Sequence, residues 1–385
     1  MDKIEEVLTR GVAEILPSKE ALKKVLLSSR KLKIYIGADP TGPQLHLGHS
    51  TNFLILSQLQ KLGHKIIILV GDFTGMIGDP SDKMALRKQL TRNEILENAK
   101  TYKDQVSKIL NFEGDNPAEI KFNSKWLGKL TFLDGLNLMS NFTEQQLLER
   151  DMFQKRLKEN KPLYAHEVVY PILQAYDSVA MDVDVEMGGS DQTFNMLMGR
   201  ELMKEKRGKE KFVIVTELLI NPKTGKKMMS KSEGNYIGLN DNPRDMYAKV
   251  LALPDKTIEP VFRMCTNVDL TQIDWNKNPL ELKKELALEI VTMYHSKEIA
   301  LKAQENFEIT FQEQKPAFDK EIPIKNTLLS TLAPFTSKAS LSEAKRLINQ
   351  GGVDINGKRI GLSYKIKAGD KIKIGKKFFG IAVNN

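Results

Sequence analysis

IYIGADPTGPQLHLGHSTNFLILSQLQKLGHKIIILVGDF, residues 34–73, is the stretch that decides the fold. Residues 34–39 read as a buried strand that ends in a Pro/Gly turn, and a helical pattern runs from Gly48 to Leu62. KIIILVGDF then follows as an almost continuous apolar run, the mark of a strand in a parallel sheet covered on both faces. Strand, helix, strand in this order is a βαβ unit, whose crossover is expected to be right-handed. Further out, residues 90–180 read as mostly helical, VDVEMGG (183–189) as a strand, Ser190 to Lys204 as a helix and FVIVTELLI (212–220) as another strand. Residues 1–225 are therefore expected to form an α/β domain, a doubly wound parallel sheet with a helical insert at about 110–180.

Downstream, 226–240 is a loop rich in Gly, Ser and Lys, 241–320 is expected to be a separate all-helical domain, and 321–332 a linker. Residues 333–385 pattern as a small α+β domain, with an amphipathic helix from Leu341 to Ile348, a Gly-Gly stop, and short strands around VDINGKRI and DKIKIGKKF. The formal charge of the chain is +9, and residues 331–385 alone carry eleven Lys/Arg against three acids. A basic patterned domain on a nearly neutral body points to a polyanion such as RNA. Its candidate contacts are Lys345, Arg346, Lys358, Arg359, Lys376 and Lys377. No apolar run approaches the ~20 residues of a membrane-spanning helix, and acids at Asp2, Glu5 and Glu6 do not fit a secretory signal. The lone Cys265 fits a reducing, cytoplasmic setting, and one cysteine with five scattered histidines gives no zinc pattern, so no protein-held metal is expected.

Neither a G-x-G-x-x-G fingerprint after the first strand nor a P-loop is present, so a nucleotide site needs another device. PTGPQLHLGHS (40–50) sits where the first strand ends and the first helix begins. Ligands bind at the carboxyl ends of strands in such sheets, and a helix start favours phosphate. Gly48 permits close approach of a nucleotide, and His46 and His49, three apart, can direct both rings to one spot. The second device, GKKMMSKSEGN (225–235), is a loop whose lysines can close over a triphosphate.

An H-x-G-H turn after the first strand together with an M-S-K-S loop resembles the class I aminoacyl-tRNA synthetases. YIGADPT (35–41), GDFTGMIGDPS (71–81), YPILQAYDS (170–178) and EMGGSDQTFNMLMGREL (186–202) narrow the resemblance to the tyrosyl-tRNA synthetase family, and KASLSEAKRLINQGGVDINGKRI (338–360) resembles a small RNA-binding domain shared with a ribosomal protein. The resemblance implies a ligase that joins tyrosine to tRNA(Tyr) through tyrosyl-adenylate, with ATP as a substrate, Mg²⁺ travelling with it, and a two-fold homodimer. It implies that His46, His49, Lys231 and Lys227 serve the reacting phosphates. Asp39, Thr41, Gly48, Gly189, Asp191, Met229, Ser230 and Lys231 would line the adenylate side, with Asp191 on the ribose. Tyr35 and Asp177 match the residues that meet the phenol hydroxyl, and Asp79, Tyr170 and Gln174 those around the α-ammonium, with Gln192 near the carboxyl.

With Pro171 as the first helical residue, Tyr170, Gln174 and Asp177 would share one helix face. Two positions depart from the family pattern. Met228 stands where the loop signature usually begins with lysine, and Thr193-Phe194 stands where another subgroup has Trp-Gly. Two other readings are a catalytically inactive synthetase-like RNA-binding protein and the sister tryptophan ligase. Tyrosine- or tryptophan-dependent pyrophosphate exchange separates all three.

Overall fold

The computed structural model describes residues 3–80, 90–222, 225, 227–229, 236–309, 318, 320–336, 338–375 and 378–384. The chain divides into two compact units, Met1–Ala300 and Leu301–Asn385.

The first unit is built on six strands: β1 (Val12–Leu16), β2 (Lys33–Ala38), β3 (Lys65–Val70), β4 (Glu119–Phe122), β5 (Val185–Gly189) and β6 (Phe212–Thr216), in the order β1-β6-β5-β2-β3-β4. All neighbours are parallel except β1, which pairs antiparallel with β6. Successive strands run outward from β2 in both directions, so β2 is the switch point, and the crevice at its carboxyl end is the expected ligand position. The apolar runs explain the centre of the sheet: Ile66 to Val70 and Ile34 to Ile36 are buried, in register Ile34↔Ile66 and Ile36↔Ile68.

The helix expected at Gly48–Leu62 spans Leu47–Lys61 and is buried on nearly every side, at Leu47, Phe53, Leu54, Ile55, Leu56 and Leu59. Ser190–Gln192 forms a short 3₁₀ turn ahead of the helix Thr193–Arg207. Two edge strands were not anticipated. VAEIL of β1 buries only Ile15, and EIKF of β4 lies in a stretch read as helical and has no fully buried residue. A third difference concerns Pro171, which lies inside the helix Ala165–Met181 and not at its start. Burial of Tyr170, Ile172, Ala175 and Val179 on that helix outweighs the one backbone bond that proline forfeits.

Helices Pro243–Leu251, Ile258–Cys265 and Pro279–Tyr294 occupy the stretch expected to be all-helical, and they lie within the first compact unit. Arg10 fastens them. Its guanidinium donates to the carbonyls of Phe262, Arg263, Thr266 and Val268, while Arg263 forks onto Glu217 just past β6 at 2.6 and 2.8 Å.

The second unit holds β7 (Lys320–Pro323), β8 (Val353–Ile355), β9 (Lys358–Arg359), β10 (Lys371–Ile374) and β11 (Phe378–Val383), in the order β7-β11-β10-β8-β9. Its core joins Ile322, Leu332, Ala344, Ile348, Val353, Ile355, Ile372 and Ile374. The span 321–332 is therefore not a free linker. It supplies most of β7 and the helix Leu328–Leu332, and Ile322 and Leu332 are fully buried. Polar and proline residues there conceal five apolar positions that the small sheet needs, Ile322, Ile324, Leu328, Leu329 and Leu332.

Candidate active site

Polar side chains gather at the carboxyl ends of β2, β3 and β5. Asp39 follows β2, and its carboxylate accepts from Thr74 Oγ1 at 2.7 Å and Tyr170 OH at 2.9 Å. Gly71, just past β3, makes room for it: a Cβ there would lie 1.9 Å from Asp39 Oδ1. Burial pushes the Asp39 carboxyl up to about 7, with Asp79 adding to the rise and the Thr74 and Tyr170 bonds opposing it.

Thr74 also accepts from Asn123 Nδ2 at 3.0 Å, and Asn123 donates to Asp177 at 3.2 Å. Trp126 Nε1 donates to the other oxygen of Asp177 at 2.7 Å. Burial raises the Asp177 carboxyl well above the usual range; these two donors hold it down, and the charges of Glu186 and Asp39 raise it further. The Tyr35 hydroxyl is fully buried and bonds Ser178 Oγ at 3.0 Å. Tyr170, Gln174 and Asp177 do come from one helix, and Tyr170 reaches Asp39 whereas Gln174 donates to Glu186 at 3.0 Å.

Asp79 accepts from Arg150 at 3.1 Å and from Gln192. Asn195 joins Gln192 and Gln174 by donating to both side-chain carbonyls, at 3.0 and 2.9 Å. Gly189 is tight as well, because a Cβ would come within 2.7 Å of Asp191 Oδ1.

The histidine turn lies at the same edge. His46 is the N-cap of the helix Leu47–Lys61, its backbone N–H donates to His49 Nδ1 at 3.1 Å, and the two rings are 3.8 Å apart between centroids. A Cβ on Gly48 would crowd the His46 ring at 3.1 Å and touch Met229 Cβ at 3.6 Å, so the turn and the start of the signature loop are in contact. Chain beyond that loop returns to the same place. Leu47 N–H donates to Ile237 O, Leu239 N–H to Leu45 O, and His46 bridges Gly238. Lys227 pairs with Asp191 at 2.8 Å. Thr41 sits on the exposed rim. Ser230 and Lys231 lie outside the described residues.

The structure thus brings Tyr35, Asp39, Gly48, His46, His49, Asp79, Tyr170, Gln174, Asp177, Gly189, Asp191, Gln192, Lys227 and Met229 to one edge of the sheet. It adds Thr74, Ser178, Glu186 and Asn195, which lie inside the quoted motifs but were not singled out there, and Asn123, Trp126 and Arg150, which lie outside every motif. Among the described residues no group of three or more His, Cys, Asp or Glu could hold a metal, and no helix is long and apolar enough to cross a membrane.

In the second unit Lys345, Arg346, Lys358 and Arg359 are exposed, although Arg346 is paired with Glu343 at 2.7 Å; Lys376 and Lys377 lie outside the described residues.

Comparison with known proteins agrees with this geometry. The family model described as "tRNA synthetases class I (W and Y)" matches residues 27–312, and the S4 domain model matches residues 337–372. A tyrosine–tRNA ligase 2 of Clostridium acetobutylicum is 41% identical, over 98% of this chain and 97% of its own length. The tyrosine–tRNA ligase of Haemophilus influenzae is 43% identical, over 92% of this chain and 89% of its own. Among solved structures, a C-terminally truncated mitochondrial tyrosyl-tRNA synthetase of Aspergillus nidulans shares the fold with a TM-score of 0.68 at 21% identity, over 80% of this chain and 94% of that one. A tyrosyl-tRNA synthetase of Archaeoglobus fulgidus complexed with L-tyrosine gives 0.59 at 23%, over 79% and 100%. Fold and site define a class I aminoacyl-tRNA synthetase carrying an S4 domain. Within that class the chain belongs to the tyrosine–tRNA ligase family.

The raised Asp39 carboxyl has a measurable consequence. Between pH about 4 and about 7 the folded chain keeps a proton that the unfolded chain has released, so this group's contribution to stability falls as pH rises through that window. Asp39→Asn should therefore gain stability relative to the parent as pH is raised from 4 to 8, in thermal melts without substrates. A constant offset across that range would contradict the assignment.

Proposed function

We propose that this tyrosine–tRNA ligase works through one cleft at the carboxyl ends of β2, β3 and β5. The tyrosine carboxylate attacks the α-phosphorus of ATP, pyrophosphate leaves, and a hydroxyl at the 3′ end of tRNA(Tyr) then takes the tyrosyl group and releases AMP. The substrate carboxylate is itself the nucleophile, so the protein's task is positioning and charge stabilisation on phosphate oxygens.

Asp177 and Tyr35 meet the phenol hydroxyl, and Asp79, Tyr170 and Gln174 hold the α-ammonium, with Gln192 beside the carboxyl. Asp39, Thr41, Gly48, Gly189, Asp191, Met229 and Ser230 line the adenylate side. His46, His49 and the start of the helix Leu47–Lys61 take the phosphates, joined by Lys227 and Lys231. Lys227 must leave Asp191 when the ribose arrives, which makes the leaving pyrophosphate a competing partner for it. Mg²⁺ arrives with ATP, held by phosphate and water.

The observation that carries this reading is the hydrogen-bond chain from Asp177 through Asn123 and Thr74 to Asp39. It runs from the phenol-sensing acid to the strand end that opens the histidine turn. Tyrosine is favoured over tryptophan because the relatives that cover nearly the whole chain are tyrosine ligases and because a buried carboxylate awaits a hydroxyl donor. Phenylalanine brings no hydroxyl and would leave the remaining acceptor position of that carboxyl unfilled and away from water, at a desolvation cost.

Dimer formation is supported by the helix Phe132–Met139, where Phe132 is 84% and Leu133 65% exposed, with Leu136 and Met139 beside them. Such a stripe marks an interface. On the second unit Lys345, Arg346, Lys358 and Arg359, with Lys376 and Lys377, meet tRNA.

Asp177→Ala is expected to lower the ratio of kcat/KM for tyrosine over phenylalanine in ATP–pyrophosphate exchange by at least about tenfold, the worth of one lost buried polar contact; an unchanged ratio would overturn the pocket. Lys345→Glu with Lys358→Glu should weaken tRNA charging while exchange is spared, and unaltered charging at moderate salt would refute the RNA assignment. Phe132→Asp should convert the dimer to monomer in light scattering; a dimer that persists removes that helix from the interface.

A further inference from the structure

Beneath the pocket lies a buried ion pair that the chemistry above does not use. Lys211, just before β6, is fully buried, and its ammonium pairs with Glu186 of β5, which is 2% exposed. Two charges removed from water incur a desolvation penalty that their attraction repays only in good geometry, and apolar residues of equal volume often serve stability as well or better. The surroundings are nevertheless shaped around the pair. On the helix above, a Cβ at Gly199 would stand 2.5 Å from Lys211 Nζ and 3.1 Å from Glu186 Oε2, so a side chain there would displace the pair. The helix Thr193–Arg207 thus forgoes a side chain, and with it helix propensity, to admit an ammonium.

The partners of the pair lead to both ends of the amino-acid pocket. Lys211 Nζ donates to Ser178 Oγ at 3.0 Å, and Ser178 Oγ in turn meets the Tyr35 hydroxyl at 3.0 Å. Glu186 Oε1 accepts from Gln174 Nε2 at 3.0 Å, while Oε2 faces Lys211 and Ser178. An ammonium can only donate, so it claims one lone pair of Ser178. The serine hydroxyl is then fixed in its dealings with Tyr35. In the strand ladder Glu186 lies opposite Tyr35 on one side and Val213 on the other, so the three strands deliver these groups in register.

We propose that the buried Lys211–Glu186 pair is a positioning device for tyrosine recognition, setting the Tyr35 hydroxyl through Ser178 at the phenol end and the Gln174 amide at the ammonium end. It rests on the pocket assignment made under the proposed function. Lys211 and Glu186 touch no substrate; they act through Ser178, Tyr35 and Gln174. The positive charge has a second effect, which is to neutralise Glu186 beside Asp177. Glu186 left alone would oppose ionisation of the acid that senses the phenol.

The test is a double variant, Lys211→Met with Glu186→Gln, which removes both charges without stranding either. It should melt close to the parent, raise KM for tyrosine about tenfold, the loss expected when a buried charge-assisted contact no longer holds its partner, and leave KM for ATP within about twofold in ATP–pyrophosphate exchange. Lys211→Arg is too large for the space at Gly199 and is not expected to rescue, whereas restoring Lys211 and Glu186 together should. Should the double variant fail to fold, Ser178→Ala carries the question, since it cuts the link to Tyr35 and leaves the ion pair. It too should raise KM for tyrosine alone and lower selectivity over phenylalanine. Unchanged tyrosine KM in Ser178→Ala, or in a folded double variant, overturns the proposal. If Asp177→Ala keeps its selectivity as well, the pocket reading has failed; if Asp177→Ala loses it, only the role of the ion pair has failed.

Discussion

Parallel strands that diverge from β2 leave one open edge, and that edge is the constraint on which the rest of the molecule depends. Because β3 and β4 run to one side and β5 and β6 to the other, the crossovers leave in opposite directions and cannot cover the carboxyl end of β2. The chain that emerges there has to satisfy its own polar groups. Asp39 is held by Thr74 and Tyr170, and the turn through His46 is completed by the start of a helix and by residues 237–239, which return from the far end of the unit. A nucleotide and an amino acid can then lie side by side across that edge.

The cost of such a site is a buried polar network. Asp177, Asn123, Thr74 and Asp39 form one chain of bonds, and Asp79, Gln192, Asn195, Gln174 and Glu186 form another. Each group is expensive to bury and affordable only when paired. Pairing along both chains holds these side chains still, which is what recognition of a hydroxyl requires. The glycines at 71, 189 and 199 serve the same end, because each leaves space that a methyl group would take from a charged atom.

Much of this was legible in the sequence. The centre of the sheet announced itself because Ile66–Val70 and Ile34–Ile36 face protein on both sides, and the strand-end motifs marked the site because glycine, histidine and proline have few other reasons to cluster there. Edge strands were not legible: EIKF carries no fully buried residue, and VAEIL buries only Ile15. Residues 321–332 looked like a linker because a small sheet needs so few apolar contacts that Ile322 and Leu332 are lost among polar neighbours. Helices 243–294 read correctly as helices, yet the contacts that fasten them to the sheet unit are made by Arg10 and Arg263, at sequence distances no local pattern reports. Trp126 and Asn123, which hold Asp177, come from a segment without a motif, so proximity alone reveals them.

The central claim is that one small molecule spans from Asp177 to the histidine turn. A crystal structure with a non-hydrolysable tyrosyl-adenylate analogue tests it most directly. The phenol oxygen is expected within hydrogen-bonding distance of Asp177 and Tyr35, the α-ammonium beside Asp79, Tyr170 and Gln174, and the adenosine against Gly48 and Asp191. An analogue bound elsewhere, or bound here with its phenol ring pointing away from Asp177, would contradict it.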